Sequence, residues 1–187
     1  MDEAVEKIIE HKFIMLNLNA GCPAKNVIKS GNGSALMAKP ELVKELLTEL
    51  QKRINGRIPL TIKIRAGFKT KNALTIAKIS QDCGVEMLII HPRTPPGGFS
   101  AALDFYLVKK VKQSLSIPIV FSGNIFNFED AEKTYERTGV DGFMIGRAVW
   151  GCPCKMREIT DASQGKTFPV TNVLMLEYAI KHLDLNV

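Results

Sequence analysis

Cys22 is the residue whose type and position best suit chemistry. It lies in the segment Asn19-Ala20-Gly21-Cys22-Pro23, directly after the apolar stretch 13–18, so its thiol stands at the C-terminal end of a predicted strand. Proteins of the α/β class place their catalytic groups at that end of their strands. Cys22 is therefore a candidate functional thiol. The alternative, a small buried apolar side chain, fits a Gly-Cys-Pro loop less well.

Four later segments repeat this arrangement, because each is an apolar predicted strand that ends in polar side chains. These polar groups are Lys63 and Arg65, His91 and Arg93, Ser122-Gly123-Asn124, and Gly146-Arg147. Five such strand ends are hard to obtain by chance. They predict a shared site at one edge of a parallel sheet.

Lys63 is informative because it lies inside the apolar run Leu60-Thr61-Ile62-Lys63-Ile64. Burying an ammonium group is costly unless an anionic or hydrogen-bonding partner is present. A functional role for Lys63 is therefore favoured over a structural ion pair. His91 alone would be interpreted as a satisfied structural group, but its place in the set of strand ends favours a functional role.

Two turns that follow the last two strands suit a phosphate. They are Ser122-Gly123-Asn124 and Ile145-Gly146-Arg147, and the second begins a short helix. Backbone N–H groups at a helix start and an arginine fork can hold a phosphate. Turns at these two places form the phosphate site common in (β/α)8 barrels.

The elements that position these residues alternate along the chain. They are predicted as helix 2–11, strand 13–18, helix 40–53, strand 59–64, helix 72–83, strand 86–90, loop 92–98, helix 103–115, strand 117–121, helix 127–139 and strand 141–145. Asn72 and Asn127 are the predicted N-caps of the two helices that start at these residues. The strands are apolar along their length, which is typical of a parallel sheet covered by helices. The predicted fold is α/β, with a barrel-type unit over residues 1–154. A tail over residues 155–187 follows, irregular from 152 to 169 and helical from 170 to 183.

Alternation along the strands predicts which side chains share a face. Asn17 and Asn19 lie on one side of their strand, as do Thr61, Lys63 and Arg65 on the next, and Met87, Ile89 and His91 on the third. In a barrel this side is the interior, which opens at the C-terminal strand ends.

Composition limits the alternatives. With 187 residues and 45% hydrophobic content, the chain can bury one sizeable core, which predicts one globular unit. No stretch reaches the roughly 18 apolar residues that span a bilayer, and Met1-Asp2-Glu3 does not resemble a signal peptide. The prediction is a cytoplasmic protein without a membrane partner.

Charge and cysteine content add two expectations. The net charge of +6 is compatible with an anionic partner such as nucleic acid or a phosphorylated cofactor, and equally with an ordinary basic protein. Four cysteines in a chain of this length do not form a disulfide framework, and Cys152-Pro153-Cys154 lacks the second pair that a zinc site needs. Free thiols and no metal are predicted.

A family resemblance rests on six motifs in a fixed order. They are residues 19–24 (Asn-Ala-Gly-Cys-Pro-Ala), 33–37 (Gly-Ser-Ala-Leu-Met), 61–67 (Thr-Ile-Lys-Ile-Arg-Ala-Gly), 91–94 (His-Pro-Arg-Thr), 122–125 (Ser-Gly-Asn-Ile) and 144–148 (Met-Ile-Gly-Arg-Ala). The chain resembles the tRNA-dihydrouridine synthases over roughly residues 2–158. The motifs are specific as a set.

The resemblance implies an FMN-dependent TIM-barrel oxidoreductase that uses NADPH to reduce uridine in tRNA to 5,6-dihydrouridine. Reduced FMN passes a hydride to C6 of uracil, and Cys22 is implied as the general acid that protonates C5. An ordinary thiol, with a pKa of about 8.5, is mostly protonated near neutral pH and can donate that proton. The other implied residues are, for the cofactor, Lys63, His91, Ser122, Gly123, Asn124, Gly146 and Arg147, and, for the substrate, Asn19 and Arg93.

The resemblance also shows what the chain lacks. Five strands are predicted where the family closes a barrel of eight, and the three missing βα units are the N-terminal ones. An N-terminally truncated barrel is therefore expected, with residues 155–187 as the remnant of a C-terminal helical domain. Because an open sheet has two unpaired edges, self-association or a complementing chain is expected.

Two alternatives remain at this stage. Another FMN barrel oxidoreductase that acts on a free pyrimidine, similar to dihydroorotate dehydrogenase, also has a Cys-Pro loop and a Gly-Arg phosphate site. The segments Lys63-Ile64-Arg65 and His91-Pro92-Arg93 favour the tRNA enzyme over this one. The missing strands favour the second alternative, a truncated remnant without catalytic activity.

Overall fold

Five parallel strands form one open sheet, in the order in which they occur along the chain. They are β1 Leu16–Ala20, β2 Leu60–Arg65, β3 Met87–His91, β4 Ile119–Ser122 and β5 Gly142–Met144. The structure, a computed structural model, describes residues 2–97 and 100–185. Residue 98 of the predicted loop and residues 186–187 of the predicted tail lie outside this range. The α/β class and the barrel-type parallel sheet are confirmed.

Helices connect the strands and follow the last one. The α-helices are α1 Asp2–Glu10, α2 Lys25–Lys29, α3 Pro40–Ile54, α4 Ala73–Asp82, α5 Phe105–Ser114, α6 Phe128–Thr138, α7 Lys155–Ser163 and α8 Asn172–Asp184, and short 3-10 helices cover Gly33–Ala38, Pro95–Gly97 and Arg147–Val149. Among the described helices, none has the length and apolar character needed to cross a bilayer.

The two faces of the sheet have different environments. One face carries fully buried side chains such as Ile62, Ile64, Ile90 and Phe121, which form one apolar core with the helices. The opposite face carries the polar set, because residues of alternate parity point away from that core. Its central part is covered as well, since Thr61 and Arg65 are also buried.

The register of the sheet brings the predicted polar residues side by side. Asn19 pairs with Lys63 across β1 and β2, and Arg65 pairs with His91 across β2 and β3. Parallel strands in register end at the same edge, so these groups share one edge of the sheet. The grouping predicted from alternation is confirmed.

Both outer strands present an open edge. Within the described residues, β1 pairs with β2 alone and β5 with β4 alone. Large apolar side chains near these edges are exposed, with Ile14 at 80% and Trp150 at 81%. Unpaired strand edges are sites for association with another chain. Self-association, or a complementing chain, stays a prediction that sedimentation velocity would test: a single compact monomer at micromolar concentration would contradict it.

Several local predictions are corrected. β1 begins at Leu16 rather than Phe13, because its pairing starts where β2 begins. Residues 152–169 are not irregular: α7 lies within them, and its Ile159 joins the core. Asn72 occupies the N-cap position of α4 but does not cap it, since its amide donates to the Met37 carbonyl at 2.6 Å. The predicted cap of α6 is confirmed, because the Asn127 side chain accepts from Asp130 N at 2.8 Å.

Candidate active site at the strand ends

Six of the predicted site residues line one cavity at the C-terminal ends of β3, β4 and β5. The cavity has a volume of about 140 Å³. The predicted residues that line it are His91, Ser122, Gly123, Asn124, Gly146 and Arg147. Among the described residues of its lining there is no carboxylate, and Arg147 supplies a positive charge. The cavity therefore suits an anionic group.

The two turns after β4 and β5 are held to each other at this cavity. Arg147 Nη2 donates to Asn124 Oδ1 at 2.7 Å, and the Arg147 guanidinium lies 5.6 Å from the centre of the Phe126 ring. Gly123 has φ +147, and a Cβ there would stand 3.0 Å from Leu103 Cδ2. These contacts fix the arginine fork beside exposed turn backbone before any ligand binds.

His91 faces this cavity as a neutral ring. Burial, followed by the nearby charges of Arg65, Lys63 and Arg93, lowers the His91 pKa from 6.5 to about 4. Its Nδ1 atom is buried and has no hydrogen-bond partner among the described residues. A buried polar atom without a partner is costly, so His91 is suited to a hydrogen bond with a ligand.

The lowered pKa of His91 predicts a pH dependence of stability. In the unfolded chain the His91 ring takes up a proton near pH 6.5, whereas in the folded chain the ring stays neutral until about pH 4. The free energy of unfolding should therefore fall as the pH decreases between these values. Urea unfolding at several pH values measures this, and His91→Gln should flatten the decrease. Replacing the exposed His11 with glutamine is the matched control, and an equal flattening there would contradict the assignment.

Cys22 and Lys63 are linked electrostatically on the same side of the sheet. Burial lowers the Lys63 pKa, and the charge of Arg65 lowers it further, whereas a negative charge on Cys22 opposes both effects. Burial also lowers the Arg65 pKa, with the Arg93 charge adding to it and Cys22 again opposing. The thiol therefore lies within electrostatic reach of two cations, the half-buried Lys63 and the buried Arg65.

The loop that carries Cys22 is held by backbone contacts. Arg65 Nε donates to the Gly21 carbonyl at 2.9 Å, and Gly21 N donates to Asn19 Oδ1 at 3.1 Å. On the other side, Ser34 N donates to the Cys22 carbonyl at 2.9 Å. Asn19 and Arg65 thus position the thiol from the sheet, and the 3-10 helix at Gly33–Ala38 positions it from the loop.

Gly33 makes the closest approach to this loop, and its replacement is expected to disturb it. It has φ +57, and a Cβ would stand 2.8 Å from the Cys22 carbonyl oxygen and 2.9 Å from Cys22 Cβ. Gly31→Ala is a matched control, because Gly31 has φ +80 but open space around it. The backbone strain should lower the free energy of unfolding by about 1–2 kcal/mol in both variants. Urea unfolding should show a larger decrease for Gly33→Ala than for Gly31→Ala. Equal losses would contradict the contact.

Arg93 lies beside the first cavity rather than in its lining. It is buried at 4% exposure, and its Nε donates to the Ala101 carbonyl at 2.5 Å. It lines a neighbouring cavity of about 490 Å³ with Lys133 and Arg137. The structure therefore shows Arg93 holding the loop after β3, and its predicted substrate contact stays a prediction.

Sequence reasoning had not assigned several residues that shape the site. One of them is Arg65, which carries a buried Nη1 atom without a partner among the described residues, as the already predicted Arg93 also does. A role for Arg65 could have been predicted from the sequence, since Arg65 shares a strand face with Lys63. No signal in the sequence pointed to Gly33 and Phe126, because their contacts are made between separate loops.

The fold and the site define an open sheet of the (β/α)-barrel type, with a cationic cavity and a thiol at the C-terminal strand ends. The family model "Dihydrouridine synthase" matches residues 1–184. The chain therefore belongs to the dihydrouridine synthase family.

Curated relatives agree with this membership. The chain is 36% identical to tRNA-dihydrouridine synthase B of Shewanella oneidensis over 193 residues, which is 99% of this chain and 59% of that protein. It is 40% identical to tRNA-dihydrouridine synthase B of Pectobacterium carotovorum over 147 residues, which is 78% of this chain and 45% of that protein. The chain thus spans about half the length of the relatives it matches.

Solved structures support the fold alone. A dihydrodipicolinate synthase from Acinetobacter baumannii matches with a TM-score of 0.61 at 18% identity, covering 89% of this chain and 54% of that one. A dihydrodipicolinate synthase from Agrobacterium tumefaciens matches with a TM-score of 0.59 at 12% identity, covering 84% of this chain and 52% of that one. In both cases about half of the neighbour's chain is covered.

Proposed function

We propose that this chain carries the flavin-binding and proton-donating part of an enzyme that reduces uridine to 5,6-dihydrouridine in tRNA. The observation that carries the proposal is the convergence of His91, the two turns and Arg147 on one cationic cavity, with Cys22 and Lys63 on the same strand ends. Family membership supports this reaction, because the matching relatives are named tRNA-dihydrouridine synthases.

The residues present fit FMN as the cofactor. Arg147 and the backbone of Gly123, Asn124 and Gly146 form a cradle for the phosphate, and Ser122 borders it. The buried His91 Nδ1 lacks a partner, which suits a hydrogen bond to a polar ring system. The partly buried Lys63 forms no ion pair with another described residue, and it provides a positive charge for the electron-rich side of a flavin. When bound and reduced by NADPH, FMN supplies the hydride for C6 of uracil.

Cys22 holds the proton that uracil C5 needs. Its side chain is half-buried, which gives a bound base access to Sγ while limiting contact with water. Gly33 and Arg65 fix the position of this loop from opposite sides. A general acid of this kind contributes roughly 10²–10⁴-fold to a rate. Asn19, exposed beside Lys63 at the same strand end, is positioned to contact the substrate.

The proposed partner is tRNA, and the proposed location is the cytoplasm. The net charge of +6 favours a phosphate backbone. So does the second cavity, where the cations Arg93, Lys133 and Arg137 outnumber the single carboxylate of Asp130. Among the alternatives, a free pyrimidine as substrate is not favoured, because the matched relatives carry tRNA in their names.

A non-catalytic remnant is the second candidate, and the two open edges of the sheet favour it. The two candidates differ in a direct assay. The chain is incubated with FMN, NADPH and unmodified tRNA, and dihydrouridine is quantified by mass spectrometry of the digested nucleosides. We expect dihydrouridine to form only when both NADPH and FMN are present. Flavin binding without any product would support the remnant and contradict the enzyme.

A further inference from the structure

Three sulfur atoms, two from the segment after β5 and one from the last helix, form a row of close contacts outside the lining of the strand-end cavity. Cys152 Sγ lies 3.4 Å from Cys154 Sγ, and Cys154 Sγ lies 3.8 Å from Met175 Sδ of α8. Cys154 is 2% exposed, and Cys152 is half-buried. We propose that Cys152, Cys154 and Met175 form a binding site for monovalent copper.

Local structure brings the two thiols to one side. Cys152, Pro153 and Cys154 form a tight turn in which Lys155 N donates to the Cys152 carbonyl at 3.1 Å. Cys154 then occupies the N-cap of α7, and its side chain caps no backbone N–H. The turn therefore places two thiols side by side.

The ligand set selects the metal. Two thiolates and one thioether are soft donors, which suit Cu(I) and not Mg²⁺, Ca²⁺ or Mn²⁺. A structural zinc site requires four nitrogen, oxygen or thiolate ligands, and residues 2–97 and 100–185 contain no cluster of three or more His, Cys, Asp or Glu that could hold a metal. A three-coordinate Cu(I) centre is the arrangement that these donors fit.

The distances suit a shared metal better than a disulfide. With metal–sulfur bonds of about 2.3 Å, sulfurs around a trigonal centre stand about 4 Å apart. The observed separations of 3.4 Å and 3.8 Å are shorter than that value by about 0.6 Å and about 0.2 Å, so small movements of the side chains would admit the ion. A disulfide would need about 2.05 Å. Cys152 would then have to move more than 1 Å inside a turn that Pro153 restrains.

Charge and access complete the site. Lys155 follows Cys154 directly, and its ammonium group forms an ion pair with Glu158 at 2.7 Å, so a cation stands close to the two thiols. Binding transfers no electron: Cu(I) replaces two thiol protons, which pass to solvent, and the thioether adds without a proton. A cavity of about 540 Å³, bordered by Pro153 and Met175, gives the ion access to the thioether, and Cys152 is half-buried rather than fully enclosed.

The test is an anaerobic titration of the reduced full chain with Cu(I), supplied as its acetonitrile complex and competed with bathocuproine disulfonate. We expect one Cu(I) per chain and three sulfur neighbours by X-ray absorption. Cys152→Ser and Cys154→Ser should abolish this binding, and Met175→Leu, which keeps the side-chain volume, should weaken it about 10- to 100-fold. Cys83→Ser and Met156→Leu are matched controls that should bind as the wild type does.

Three results would overturn the site. They are undiminished binding by Cys154→Ser, undiminished affinity of Met175→Leu, and a reduced chain that binds no Cu(I) while air oxidation joins Cys152 to Cys154. Folding of each variant is verified by its thermal unfolding midpoint. Cys22→Ala should retain Cu(I) binding, so the outcome is independent of the proposed enzymatic function.

Discussion

Replacing Cys22 with alanine is expected to lower dihydrouridine formation by about 10²–10⁴-fold, the contribution of a positioned general acid. FMN binding should persist, because the cavity that we assign to the cofactor is lined by residues of β3, β4 and β5 and not by Cys22. The loop should also persist, since its contacts use backbone atoms of Gly21 and Cys22. Product formation under NADPH and the flavin difference spectrum measure the two effects separately.

Cys83→Ala is the matched control for this variant. Cys83 is also a half-buried free thiol, but its sulfur contacts Thr48 Oγ1 at 3.7 Å and the Lys44 carbonyl at 3.9 Å on the helical side of the sheet. Its removal should leave the rate unchanged. Equal rates for Cys22→Ala and the wild type would contradict the general-acid role.

The second large effect is expected at Arg147, where glutamine should weaken FMN binding by about 10- to 100-fold. A hydrogen bond to a charged group contributes about 1.5–3 kcal/mol, and about 1.4 kcal/mol corresponds to a tenfold change in affinity. The Arg147 fork is already oriented by Asn124 and Phe126. Titration followed by quenching of flavin fluorescence measures the change.

Arg157→Gln controls for the loss of one positive charge. Arg157 is exposed on α7, where its Nε lies 3.4 Å from Asp161 Oδ2, and it does not line the proposed cavity. FMN affinity should be the same as in the wild type. A loss as large as that of Arg147→Gln would indicate a general charge effect and would contradict a phosphate contact at Arg147.

The sheet and much of the site could be predicted because both depend on short-range sequence patterns. Five apolar segments with polar ends indicate parallel strands, and alternation places Lys63, Arg65 and His91 on one face. The strands in register then carry these groups to one edge. Nothing further was needed to predict that His91 and Arg147 approach one another.

Features that depend on contacts between distant loops could not be predicted. Gly33, with its φ of +57, lies against the Cys22 carbonyl, eleven residues earlier, which leaves no room for a Cβ. The Asn72 side chain does not cap its helix, because its amide donates to the Met37 carbonyl. α7 was missed because Cys152-Pro153-Cys154 and the polar residues after it resemble a loop. Its helical state is supported by Ile159, which packs into the core.

FMN titration of the purified chain tests the central claim most directly, since every proposed role depends on a cofactor at the strand-end cavity. The account predicts saturable binding of one FMN per chain, with a shifted flavin absorbance spectrum and loss of affinity in Arg147→Gln. A folded chain that takes up no FMN would contradict it.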